Sequence, residues 1–158
     1  MEYRNPSKIM TKSSKNHTSR QNIVIKYLLL IVFFAVSIST MGQVYKLRST
    51  AFSSKYKINE YSWSEWSEWE KTSLLIVINM NDERFTIYSQ KTQVYDIIEY
   101  DGESTNNDGD RTFSYLCANK DGLRCEVRLV RRDSMNGELQ LYVDFNDMSW
   151  AYAVYSVD

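Results

Sequence analysis

Between Glu138 and Phe145 apolar and polar residues alternate without a break. Leu139, Leu141, Val143 and Phe145 hold the odd positions, and Glu138, Gln140, Tyr142 and Asp144 the even ones. A period of two sets one group on the core face of a strand and the other in water. Asn146-Asp147 then reads as a two-residue hairpin turn that pairs Phe145 with Met148, so Met148, Trp150, Tyr152 and Val154 also point inward. In the preceding strand Cys125, Val127 and Leu129 form the apolar set against Arg124, Glu126 and Arg128. A two-residue turn at Asn136-Gly137 would set Leu141 opposite Arg132, and a one-residue slip flips every side chain. A three- or five-residue loop around Gly137 instead pairs Leu129 with Leu141 and Val127 with Val143, which is the register the pattern selects.

The same signals extend along the chain. Gly102, Gly109, Gly122 and Gly137 each sit in a polar cluster (EYDGE, NNDGD, NKDGL, SMNGE) that reads as a turn. The runs between them are rich in Val, Ile, Tyr, Phe and Thr and contain no proline, so every backbone donor is free for a ladder. Strands are expected near Val44 to Phe52, Tyr56 to Trp63, Ser73 to Met80, Arg84 to Ser89, Thr92 to Tyr100, Arg111 to Ala118, Leu123 to Arg131, Glu138 to Phe145 and Met148 to Val157. No segment shows a 3.6-residue period. The expected fold class is all-β: a small antiparallel meander of eight or nine strands rolled into a lipocalin-like barrel or a β-sandwich. A domain of this length buries roughly 65% of its unfolded surface, enough for one core.

Charge divides the chain. Residues 1–26 carry six basic side chains (Arg4, Lys8, Lys12, Lys15, Arg20, Lys26) and one acid, Glu2, while residues 27–42 carry none. Residues 43–158 are left with 13 basic and 19 acidic residues, a net of −6. A basic segment followed by an apolar run (YLLLIVFFAVSIST) is the layout of a signal peptide, with cleavage expected near Gly42/Gln43 and Met10 as an alternative start. The expected organisation is a leader over 1–42, apolar across 27–41, and one β domain over 43–158. An uncleaved membrane anchor is the competitor, but spanning ~30 Å of hydrocarbon takes ~20 apolar residues and this run is shorter. The expected location is therefore exported, periplasmic or extracellular, with a membrane-anchored form as the alternative.

The same division limits the chemistry. His17 is the only histidine and Pro6 the only proline, so residues 43–158 have neither. Ser-His and Cys-His catalytic pairs, histidine metal ligands and a histidine pH switch are excluded there. An acidic domain without a basic run is also a poor nucleic-acid binder. The loop of Lys120, Asp121 and Gly122 sets Cys117 opposite Cys125, and two cysteines in an exported domain suggest a disulfide. The alternative is a pair of buried thiols.

The string Tyr61 to Glu70, YSWSEWSEWE, spaces Trp63, Trp66 and Trp69 three apart. It resembles the WSxWS motif of class I cytokine receptors and the spaced tryptophans of thrombospondin-type repeats. That resemblance implies a ladder of indoles interleaved with arginine guanidinium groups, since a three-fold extended backbone aligns every third side chain and cations favour indole faces. The likeness covers ten residues and is local: receptor domains place most of their strands before the motif, whereas at most two precede it here, and thrombospondin-type repeats carry six cysteines against two. In a flat strand Trp63 and Trp69 would share a face and Trp66 would point the other way. Two readings follow: a bulged edge strand whose indoles fill one open end of the barrel, or a ligand or partner site. Glu65, Glu68 and Glu70 disfavour an anionic partner there.

The acidic stretch DGESTNNDGD contributes Asp101, Glu103, Asp108 and Asp110, with Glu99 close by. Oxygen-rich loops suit calcium, but an EF-hand register with Gly109 at position six puts Ser104, Asn106 and Tyr115 where acids are needed. The segment is expected to be a solvated hairpin loop. Asp96, Glu99, Asp144 and Asp147 are available for paired-carboxylate glycoside chemistry, and nothing distinguishes two of them. No metal ligand set, cofactor or catalytic residue is assigned.

The stretch from Arg84 onward (RFTIYS, QVYDIIEYDGE, LQLYVDFND, WAYAVYSVD) resembles small exported β-rich proteins of unknown function from gut Bacteroidota and their phages. The resemblance implies a leader and a β-rich fold and supplies no site residues. The leading functional expectation is an exported, noncatalytic binding domain that uses an aromatic surface or the barrel mouth. Its binding residues are Trp63, Trp66, Trp69 and Trp150, with an apolar, glycan or protein ligand. Aromatic density, 18 of the 116 residues from Gln43 onward, supports this. The alternatives are an inhibitor or accessory protein of another exported protein acting through an edge strand, and a carboxylate-based glycoside hydrolase. Nucleic acid is not an expected partner, and a membrane only through an uncleaved N-terminal segment.

Overall fold

The computed structural model describes residues 43–157, so the expected leader over 1–42 lies outside the described residues. Eight strands form a closed antiparallel barrel in meander order: β1 (Val44–Asn59), β4 (Leu75–Asn79), β5 (Arg84–Tyr88), β6 (Gln93–Thr105), β7 (Arg111–Asn119), β8 (Arg124–Arg132), β9 (Glu138–Asp144) and β10 (Met148–Ser156). The last strand pairs back onto the first, from Leu47 opposite Ser156 to Tyr56 opposite Met148. Two short strands, β2 (Ser62–Trp63) and β3 (Glu70–Lys71), pair with the outer half of β1. The meander class is the one the sequence pattern predicts. Instead of two initial strands, Val44 to Asn59 is one strand of 16 residues with an irregularity between Ser49 and Ala51. A strand that long serves two neighbours, β4 along its first part and the returning β2–β3 segment along its second.

Register follows the alternation. Leu129 faces Leu141 and Val127 faces Val143. A five-residue connection containing the short helical turn Asp133–Met135 joins β8 to β9, and Gly137, at φ +76°, donates its N–H to the Arg132 carbonyl at 2.9 Å. Phe145 N–H donates to the Met148 carbonyl at 2.8 Å, closing the last hairpin as expected. The inward residues meet in layers: Phe52, Tyr152, Leu141 and Leu129 in one row, Ser54, Trp150, Val143 and Val127 in the next. Ile76, Phe85, Ile87, Val127, Leu141 and Val143 are essentially inaccessible. An eight-stranded barrel has an interior just wide enough to be filled by side chains or to hold one small ligand, and here side chains fill it. Apolar residues inside and charged ones outside reverse the polarity of a membrane barrel.

Cys117 and Cys125 are direct cross-strand neighbours, as the loop length predicts. The disulfide is not formed: both are free, buried thiols and are not at disulfide distance. Residues opposite each other on antiparallel strands hold their Cβ atoms roughly 4.5–5.5 Å apart, wider than the ~3.8 Å typical of a bridge. Burial pushes each thiol up to about 12, with Cys125 adding to the shift at Cys117 and Asp144 to that at Cys125. Neither is a reactive thiolate.

The acidic loop also differs from expectation at one residue. Asp108 is exposed, but Asp110 is buried and accepts the Ser134 backbone N–H at 3.0 Å. The carboxylate of one loop thus fixes the short helical turn between β8 and β9. Its acidity is strengthened, first by the Ser134 backbone and side-chain hydrogen bonds, then by Asn106 and Arg132.

Candidate functional site

Residues Ser64 to Trp69 run extended along the outside of β1, tied to it by their own serines. Ser64 N–H donates to the Tyr56 carbonyl at 2.8 Å and its Oγ accepts the Tyr56 N–H at 3.0 Å. Ser67 repeats the arrangement on Ser54, at 2.8 and 3.1 Å. Glu70 then stands opposite Phe52. Three residues of the segment therefore advance against two of β1. Each serine replaces the ladder partner that a non-β backbone cannot supply, so no buried donor is orphaned. The WSE repeat assigns one residue type to each direction: serine to β1, glutamate to solvent, tryptophan along the barrel wall.

The wall beneath is built small to admit it. Ser53, Ala151 and Ser149 face outward yet are buried, and the row Ser53, Ala151, Tyr142, Arg128 crosses β1, β10, β9 and β8. Ser53 Oγ donates to the Ser67 carbonyl at 2.8 Å, and Trp66 meets Tyr142 edge-on at 6.0 Å between ring centroids.

Cations complete the pattern. Lys55 Nζ lies 5.1 Å from the Trp63 ring centroid and 4.9 Å from that of Trp66, and the Arg128 guanidinium lies 4.7 Å from the Tyr142 ring. Arg128 is held by Asp144 through Nε and Nη2, both at 2.7 Å, and Asp144 also accepts from Ser149 Oγ. Trp63, Lys55, Trp66, Tyr142 and Arg128 thus form a continuous ribbon of rings and cations, with one direct ring–ring contact, Trp66 on Tyr142, within it. Each cation over a ring contributes roughly 0.5–2 kcal/mol, more where water is excluded.

Of the four residues expected at the site, the structure brings together Trp63 and Trp66 through Lys55 and leaves Trp69 further along the same segment. These indoles lie on the outer wall, 38%, 39% and 49% exposed, and do not fill a barrel end. Flat-strand alternation fails because the segment is not a strand, and both Trp63 and Trp66 contact one lysine. Trp150 stands apart on the inner face, packed against Phe145 at 5.6 Å. With Phe145, Tyr95, Gln93, Asn119 and Asp121 it lines a cleft of about 360 Å³ at one barrel mouth. Lys55, Tyr142, Arg128 and the two serines were missed as site residues. Serine recurring with the same period as tryptophan, and Tyr142 on the polar face of β9, were the available signals.

Asp96 is paired with Arg84 at 2.6 Å and Asp144 with Arg128, so each carboxylate already has a partner. No cluster of three or more potential metal ligands occurs among the described residues. Beyond its pairing with β5, which ends at Asp96 opposite Arg84, β6 runs on with β7 alone. That edge carries two bulges and the acids Glu99, Asp101 and Glu103, devices that discourage pairing with another strand.

Compared with protein-family models, with curated proteins and with solved structures, the chain matches none of them.

Proposed function

We propose that this protein is a small exported, noncatalytic binding domain whose contact surface is the outer aromatic wall formed by Trp63, Trp66, Trp69 and Tyr142. The observation that carries the reading is the way the tryptophans are held. They are half-exposed, yet the backbone beneath them is locked to β1 by Ser64 and Ser67, and Lys55 and Tyr142 fix two of the rings. An aromatic surface ordered before it meets a ligand loses little conformational entropy on binding. A packed interior argues against an interior-cavity carrier, and the guarded edge of β6 argues against strand addition.

The test is tryptophan emission of the full-length chain with and without acrylamide, then titration with glycans, lipids and peptides. A quenchable fraction that one ligand class protects, and that Trp66→Ala removes, is the expected result. Emission that is shielded throughout and unresponsive to every class overturns the reading. A second reading places the ligand in the mouth cleft, favoured by Trp150 and Phe145 standing beside Gln93, Asn119 and Asp121 in a volume typical of small-molecule sites. In that case Trp150→Ala abolishes the response and Trp66→Ala leaves it intact.

A further inference from the structure

Three connections meet at one mouth of the barrel: Ser89 to Thr92 between β5 and β6, Lys120 to Leu123 between β7 and β8, and Phe145 to Asp147 between β9 and β10. All three contribute to the cleft of about 360 Å³, and each is fixed internally. Ser89 Oγ donates to the Lys91 carbonyl at 2.6 Å, Asn119 Oδ1 accepts the Asp121 and Leu123 N–H groups at 3.0 and 2.9 Å, and Phe145 N–H is held by the Met148 carbonyl. The floor is aromatic. Trp150 meets Phe145 edge-on at 5.6 Å between ring centroids, and Phe145 meets Tyr95 at 6.4 Å. Tyr95 is 2% exposed and donates its hydroxyl to Gln93 Oε1 at 2.9 Å, which ties the floor to the wall. The rim carries Lys91, Thr92, Lys120 and Asp121, all exposed.

We propose that this cleft seats the terminal sugar of a neutral glycan, its C–H face against Trp150 and Phe145 and its hydroxyls bonded by Asn119, Asp121 and the rim lysines. This rests on the second reading above, that the mouth cleft is a ligand site, and names the ligand. The lining selects among chemistries. A wholly apolar ligand would bury Thr92, Gln93, Asn119 and the charged rim groups without partners, which is costly. An anion gains two lysines but meets Asp121 beside Lys120, in a domain of net −6. A sugar offers an apolar C–H face and, around its edge, hydroxyls that both donate and accept, the complement of an aromatic floor under a mixed rim. Asn119 spends its carbonyl oxygen on the turn, which leaves its amide nitrogen as the donor for a ligand. Asp121 can only accept, and the lysines only donate. The volume lies at the small end of the ~300–1,000 Å³ range of ligand clefts, so it suits a chain end. Because floor and connections are already ordered, little entropy is lost on binding.

The experiment titrates the isotopically labelled full-length chain with maltose, cellobiose, lactose and N,N′-diacetylchitobiose, and separately with phenylacetate, following the four indole N–H signals by NMR. Trp150→Phe, which keeps a ring in the floor, assigns the Trp150 signal. The expected result is that at least one disaccharide moves the Trp150 signal and leaves those of Trp63, Trp66 and Trp69 in place. Its affinity should not change between about 0.05 and 0.5 M NaCl, because the ligand carries no charge. Asp121→Ala alters an exposed side chain and is expected to weaken that binding roughly 2- to 10-fold, the worth of one hydrogen bond. Sugar binding that is unchanged in Asp121→Ala overturns the proposal. If phenylacetate moves the Trp150 signal and no sugar does, the sugar is wrong and the cleft remains a ligand site. If a sugar moves only the outer indoles, or no probe moves Trp150, the proposal and the cleft reading fall together.

Discussion

Trp66 and Tyr142 meet edge-to-face at 6.0 Å across β10, joining a segment that belongs to no barrel strand to the outer face of β9. On β10, Ala151 stands beside Tyr142 and faces outward, yet it is buried. The WSE segment therefore acts as a brace over the β1–β10 closure as well as a display of indoles. Trp66→Ala removes the edge contact and one of the two rings that hold Lys55, and is expected to destabilise the domain by roughly 1–3 kcal/mol. Urea denaturation measures it; a change within about 0.5 kcal/mol, the range of ordinary surface substitutions, would show that the segment braces nothing.

Asp110 ties stability to acid. Its folded-state acidity is strengthened, chiefly by the Ser134 backbone N–H, so its carboxylate contributes stability that is fully present above the ordinary carboxylate value of about 4. The contribution is lost as pH falls through the lower, folded value. Asp110→Asn is expected to lower Tm at pH 7, with the gap to wild type closing as the pH is brought below 4. A gap that stays constant from pH 7 to pH 3 would show that the charge is not what holds the turn.

The thiols and buried phenols set the alkaline limit. Burial raises Cys117 and Cys125 to about 12, Tyr152 to about 12, and Tyr95 further still. Each is neutral in the fold, so their contribution is complete below the unfolded values, about 8.5 for cysteine and 10 for tyrosine, and declines as pH rises beyond them. Stability should fall above pH 9 and be insensitive to reductant. Ellman's reagent at pH 8 should find no reactive thiol among the two in the native protein and both after unfolding. Fewer than two after unfolding without reductant would mean that a bridge had formed.

Leu141 sits at the centre of the packed interior, fully buried, opposite Leu129 on one side and Tyr152 on the other. Leu141→Ala is expected to cost roughly 2–5 kcal/mol, a large share of the total for a domain of this size. Calorimetry decides: a loss under 1 kcal/mol would mean that the barrel interior is not a packed core.

Much of the barrel was legible because strand register is a local, two-state problem. Val127 opposite Val143 and Cys117 opposite Cys125 follow from the alternation together with loop length, since any one-residue slip exposes a whole face. The closure of β10 onto β1 followed less directly. Both strands are patterned for a partner, but pairing the ends of a chain costs loop entropy that no local motif reports. The fusion of two expected strands into Val44–Asn59 was invisible for the same reason, because only the two neighbours lying along β1 give it one continuous ladder.

The candidate site divides along the same line. By itself the sequence determined that Trp63, Trp66 and Trp69 repeat with serine and glutamate, that they are acidic in setting, and that residues 43–158 have no histidine chemistry. It also determined which strand faces are apolar. Only the tertiary structure decided that the repeat lies outside the barrel, that Lys55 rather than an arginine lies against its first two indoles, and that Tyr142 and Arg128 extend it while Trp150 belongs to a separate cleft. Periodicity is a property of neighbouring residues and survives in the chain. The meeting of β1, β9 and the crossing segment depends on closure of the sheet, which brings residues distant in sequence within reach of a single ring.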